Sequence, residues 1–366
     1  MPGGAERRPA AISGPGRRAV CAAGLAGLAA LATAAIARPA RAQDDGGDGG
    51  DGRDGIAPPR PAEPSRLALA SLLLAGARAG DRLVAVGQRG HVLISDDAGR
   101  TWSQRPCPTR AALTAVAFAD ARTGWAAGHD ATILKTTDGG ENWVLQHRAP
   151  RWEQPVLALA ADGPDRAWAV GAYGLFLATG DGGATWQERL VTDLDYHFYD
   201  IARLADGTWM MAGEFGGLYA ATDPDGAWTV LDSPYEGSFF GAVPLPGGGA
   251  MIHGLVGHVF RRAAPEAAWR AVPSGVEAGL LGGTALPDGR VVLVGRSGTV
   301  LTAPTPEAPL VAERLPDRDA LAAVLPAPDG GLILLGETGA RRVPRLDAGT
   351  PIATERPRLA AAGGGW

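Results

Sequence analysis

The chain has 366 residues, including 54 Gly and 29 Pro, with a net charge of −5, a composition that suits a fold with many tight turns. An acidic chain with scattered arginines lacks the basic stripe that nucleic-acid binding needs. Its two cysteines, Cys21 and Cys107, are too few for a cysteine zinc cluster.

Residues 1–42 read as an export signal. Arg7, Arg8, Arg17 and Arg18 form a basic start, Ala19 to Ala37 is an Ala/Leu-rich apolar run, and Ala40-Arg41-Ala42 offers small residues for cleavage before Gln43. A membrane anchor is the alternative reading of this run. The Arg17-Arg18 pair leaves the Sec and twin-arginine routes both open, and the periplasm is the expected destination. The signal carries six Arg and one Glu, so the mature chain holds about −10. Cys107 is then the single remaining cysteine, and no intramolecular disulfide can form. Residues 43–64, with their Asp/Gly tract, read as a disordered linker too poor in apolar groups to order itself.

The propeller is expected over residues 65–358, with 359–366 as a tail. A glycine closing a short apolar run recurs at Gly87, Gly128, Gly171, Gly213, Gly254, Gly295 and Gly336. Periods near 40 residues built from short strands indicate propeller blades, so the expected fold is all-β, a seven-bladed β-propeller of four-stranded antiparallel blades. Blade two shows the pattern in Leu113 to Ala119, Gly124 to Gly128, Thr132 to Thr136 and Trp143 to Gln146. The inner strand of blade one is expected over Leu67 to Ala75, and blade seven begins at Leu321. The outer strand of blade seven could come from Ile352 to Arg358 or from a segment just after the linker. No long 3.6-period segment supports a helical solenoid.

Between the third and fourth strands lies S/T-x-D-x-G-x-x-W, the Asp-box. Three good copies carry Asp97, Gly99 and Trp102, then Asp138, Gly140 and Trp143, then Asp181, Gly183 and Trp186. Blade four keeps Asp223 and Trp228 but has Asp225 in place of the glycine. The chemistry is structural: a turn Asp accepts N–H groups of its own loop, Gly permits a positive φ, and Trp packs on the neighbouring sheet.

Gly124-Trp125-Ala126-Ala127-Gly128 followed by Ile133 to Trp143 resembles the photosystem II assembly and stability factors of cyanobacteria and chloroplasts and their bacterial relatives. The resemblance runs from Arg66 to about Gly349 and is closest in blades two and three. It implies an exported seven-bladed propeller that serves a membrane protein complex through protein contacts, without catalysis or cofactor. Relatives in bacteria without photosynthesis imply a role beside a membrane transporter. No single binding arginine is carried over from the family.

A partner is expected on the face that bears the turns between second and third strands, because those turns differ in every blade: Gln88-Arg89, His129-Asp130, Ala172-Tyr173, Glu214-Phe215, Leu255-Val256, Arg296-Ser297 and Glu337-Thr338. Aromatic and arginine side chains are typical interface anchors. The candidate partner-binding residues are therefore Arg89, Arg151, Trp152, Tyr173, Tyr196 and Arg296, on a protein expected to be monomeric. Phe198 and Phe240, which begin inner strands, are expected to pack internally.

The rival is a glycan-binding or glycoside-hydrolysing Asp-box propeller of sialidase-like type. It would need paired carboxyl groups, for which Glu214 and Asp195 with Tyr173 or Tyr196 are the candidates, and no F/Y-R-I-P segment precedes blade one. The six histidines show no H-E-x-x-H spacing, so no metal site is expected.

Overall fold

A computed structural model describes residues 58–149, 154–346 and 351–360. Each repeat folds into one antiparallel sheet whose strands follow in sequence order from the hub outwards. In blade two these are Leu113–Phe118, Gly124–Gly128, Ile133–Thr136 and Val144–His147. The inner strand of each blade packs on that of the next, and Leu321–Pro326 of blade seven packs on Leu73–Ala79 of blade one. The ring is closed, and seven blades are present. Among the described residues no helix is long and apolar enough to cross a membrane.

The second strands read as continuous apolar or small runs, such as Val291–Gly295 and Leu332–Gly336, because both of their faces are covered by neighbouring blades. The repeat glycine ends this strand for a steric reason. A Cβ on Gly87 would lie 2.1 Å from the Leu72 carbonyl oxygen, and one on Gly336 would lie 2.1 Å from that of Ala320. The same approach recurs in all seven blades, so the period seen in the sequence is the period of this contact.

Two details differ from the sequence expectation. The inner strand of blade one is Leu73–Ala79, and Ala68–Ala70 instead form a 3₁₀ turn. That turn belongs to the closure: Ala68 and Leu69 pack with Ala340 of blade seven, and Gly339 passes so near the Leu69 carbonyl that a Cβ would sit 1.8 Å from it. The expected linker 43–64 also overlaps ordered chain at its end. The Ala62 amide donates to the Cys107 carbonyl at 2.9 Å, and Arg110 holds the Pro61 carbonyl at 3.0 Å.

Blade seven has three full strands. Its fourth position is filled by one bridge, in which Glu355 and Arg342 exchange backbone hydrogen bonds of 2.7 and 2.9 Å. The chain then crosses the seam, and Arg358–Leu359 pair in parallel with Thr101 and Trp102 of blade one. Both expected sources of closure were therefore incomplete: the C-terminal segment touches blade seven at Glu355 and spends its last pairing on blade one.

Candidate partner-binding face

Successive antiparallel strands reverse direction, so the turns between first and second and between third and fourth strands open on one face. The turns between second and third strands and the loops entering inner strands open on the other. The Asp-boxes thus occupy the face opposite the candidate residues.

The Asp-box carboxylates are consumed locally. Asp97 Oδ1 accepts from the Arg100 and Thr101 amides at 3.0 and 2.8 Å and from the Ser95 hydroxyl at 2.9 Å. Asp138 and Asp181 repeat the pattern with Asn142 and Thr185. The backbone and side-chain hydrogen bonds from Thr185 and that from the Thr179 hydroxyl hold the Asp181 carboxyl down at about 2. Gly99, Gly140 and Gly183 have φ of +82°, +90° and +86°, which a left-handed corner requires.

Each box tryptophan wedges against the preceding blade. Trp143 packs with Val84 and Ile94 of blade one, and Trp102 with Ile333 of blade seven across the seam. Their indole N–H groups donate to the Gly140 and Gly99 carbonyls at 3.0 and 3.1 Å. Trp186 is less complete: it is half-buried and its Nε1 has no hydrogen-bond partner. In blade seven, where the tryptophan is missing, Leu346 and Ile352 pack against the blade-six core.

The opposite face is built from tight turns whose second residue has positive φ. Arg89, Asp130, Tyr173, Phe215, Val256 and Ser297 have φ between 51° and 60°. In all but blade two a left-handed glycine follows, as in Arg89-Gly90 and Tyr173-Gly174. Two consecutive left-handed residues make a type I′ turn, which favours Asn-Gly. A bulky residue at its first corner is strained, and a β-branched one such as Val256 more so.

Blades three, four and five nevertheless place Tyr173, Phe215 and Val256 there, exposed at 38%, 41% and 48%. Leu255, beside Val256, is 38% exposed. Blades one, two and six carry Arg89, Asp130 and Ser297 instead, so the face divides into an apolar arc and a polar arc. Single exposed apolar residues are ordinary; a run of them at matching corners of three consecutive blades is not.

The loop entering blade four supports this arc. Tyr196 packs on Phe215 with the rings tilted by 53° and their centroids 4.9 Å apart, and Tyr173 meets His197 edge-on at 4.7 Å. The Tyr173 amide donates to His197 Nδ1 at 3.1 Å, so the ring proton sits on Nε2, which is buried without a partner. Burial pushes the His197 pKa down, the nearby Glu214 opposing only partly. The ring is neutral, and its 3.5 Å contact with Glu214 is not an ion pair.

Of the candidate residues, Arg89 and Tyr173 are exposed corner residues, and Tyr196 is half-buried against Phe215. Arg296 is half-buried one position before its corner, which is Ser297. Arg151 and Trp152 lie outside the described residues. Phe215 and Val256 were missed as site residues, although a large residue before glycine in a two-residue turn is a legible signal. Phe198 is fully buried and Phe240 nearly so, as expected. Glu214, a candidate carboxyl for the glycosidase reading, is buried under the turn, where it accepts from the His197 amide at 3.3 Å.

Fold and face together define a seven-bladed propeller of Asp-box repeats with one variable, partly apolar turn face. Residues 94–241 match the family model described as photosynthesis system II assembly factor YCF48. The photosystem II assembly lipoprotein Ycf48 of Synechococcus sp. (strain CC9902) is 30% identical over 150 residues, 40% of this chain and 44% of that protein. The match thus spans less than half the length of that curated relative.

Among solved structures, YCF48 bound to a D1 peptide superposes with a TM-score of 0.62 at 19% identity, covering 78% of this chain and 98% of that one. YCF48 from Cyanidioschyzon merolae gives 0.60 at 18%, covering 74% and 95%. A streptogramin B lyase gives 0.66 at 12%, covering 75% and 93%. These identities establish the shared fold, which enzymes and binding proteins both use. The chain resembles the photosystem II assembly factors, as its Asp-box blades implied.

Proposed function

We propose that the chain is an exported, non-catalytic assembly factor that holds a segment of a membrane-complex subunit against its turn face, with a photosystem II subunit as the client. The observation that carries this reading is the set of strained corners in blades three to five. Glycine or asparagine would fit those corners without strain, yet each holds an exposed side chain that a partner could bury. The match to the assembly-factor family supports the client class, and the solved YCF48 with a bound D1 peptide shows that a relative of this fold can hold a peptide. The basic and apolar start of the chain supports export to the periplasm, by either route.

The test is co-purification from crosslinked membranes of the native host, comparing wild type with Tyr173→Ser/Phe215→Asn/Val256→Asn. Wild type is expected to recover photosystem subunits and the folded triple variant to lose them at least tenfold. Equal recovery would remove the turn face from the reading. Recovery of a membrane transporter would keep the scaffold and change the client. Glycan binding with no membrane protein captured would overturn the proposal.

A further inference from the structure

At the hub of the ring the inner strands line an open cavity of about 240 Å³, well above the ~10–15 Å³ that one water-sized sphere needs. Its wall is built by register. In every blade the inner strand carries a bulge one residue after its pairing with the repeat glycine, as between Leu73 and Ala75 and between Phe239 and Gly241. The bulged residues are bulky in most blades, with Tyr199, Phe240 and Leu281 packing together. The next two positions are both small in blades one, five and six, as Ala75-Gly76, Gly241-Ala242 and Gly282-Gly283. Two polar side chains, Asp200 and His253, also line this space.

His253 reaches in from the second strand of blade five. Its Nδ1 lies 3.0 Å from the Leu280 carbonyl, which can only accept, so Nδ1 carries the proton and Nε2 presents a lone pair. Burial lowers its pKa to about 4, and the ring is neutral at pH 7. Nε2 lies 2.6 Å from where a Cβ on Gly241 would stand and 3.1 Å from one on Gly283, so those glycines make room for the ring. Asp200 Oδ2 lies 3.5 Å from that same point beside Gly241 and accepts the Ala242 amide at 2.9 Å. One carboxylate and one imidazole lone pair therefore converge, both as acceptors. No arginine or lysine is among the lining residues, whose titratable groups are Asp200, His253 and Tyr199.

We propose that this cavity binds a small alkylammonium group, with Asp200 supplying the charge and His253 Nε2 a second acceptor. A cation that only donates hydrogen bonds answers both acceptors, and the apolar bulged residues would cover its short alkyl chain. Among the described residues no group of three or more His, Cys, Asp or Glu side chains could hold a metal ion, which favours an organic cation. This site is separate from the turn-face corners, and it stands or falls apart from the assembly-factor reading.

The pH response follows from the neighbours. The second strand of blade four and the inner strand of blade five bring no charged group, and Asp162 of the adjacent blade-three strand is engaged by Arg203 at 2.8 Å. Burial raises the Asp200 pKa to about 6, so the carboxylate forms only above that pH.

The full chain is titrated with n-propylammonium and, separately, with neutral n-propanol, following the Gly241 and Gly283 amide resonances. Propylammonium is expected to bind at least tenfold more tightly at pH 7.5, with roughly a tenfold loss on going to pH 5 as Asp200 is protonated. Asp200→Asn keeps the shape and should lose the preference for the cation. Equal affinity for the two probes in wild type, or no shift with either, would overturn the proposal without recourse to any variant. Shifts at these amides with zinc chloride but not with propylammonium would overturn it as well.

Discussion

Replacing Val256 by Asn should make the protein more stable while removing a contact surface. Val256 is β-branched at φ 54°, and such strain costs about 2 kcal/mol, whereas Asn tolerates this region. The side chain is 48% exposed, so its replacement forfeits about half of a full burial, about 1 kcal/mol. The net gain is about 1 kcal/mol, a rise in Tm of roughly 2 °C for a domain of this size. Leu255→Asn is the control, because Leu255 is 38% exposed but lies outside the left-handed region. That change forfeits burial with nothing returned and should lower Tm by a similar amount. Differential scanning calorimetry on the two purified variants decides the matter. A lower Tm for Val256→Asn, or shifts of the same sign in both variants, would refute the claim that this corner is strained for the sake of what it displays.

Trp102→Ala should destabilise by about 4 kcal/mol in urea unfolding, because it empties the wedge between blades one and seven. Trp186→Ala should cost less, since that ring is half-buried and its N–H is already unpaired. Arg342→Met should cost about 3 kcal/mol by the same measurement: the buried guanidinium holds the Ala98 carbonyl at 3.0 Å and pairs with Asp329 and Glu355. The folded pKa of Asp181 is depressed to about 2, so its contribution is present above its ordinary value near 4 and is lost as pH falls through 2. Stability of Asp181→Asn measured from pH 5 to pH 2 should therefore fall less steeply than that of wild type.

The seven glycines, the Asp-boxes and the blade count were legible in the chain because each reports a local requirement that recurs. A carbonyl passes too close for a Cβ at Gly87 and its six equivalents, and Asp97, Asp138 and Asp181 bond within their own loops. Asp200 and His253 gave no such signal. They lie 53 positions apart on different blades and meet only because the register of two inner strands and the glycine at 241 leave a common space. The corners fall between these cases: the turn type could be read from Tyr173-Gly174 or Val256-Gly257, but the strain at them could not, because it depends on the φ that the folded blade imposes.

The sequence by itself determined the repeat, the number of blades and the face on which they differ, since these follow from local sterics and strand reversal. The tertiary structure decided how the ring closes and what the hub contains. Closure joins Trp102 to Ile333 and Leu359 to Trp102 across the length of the chain, and contacts between distant segments leave no periodic mark in the sequence.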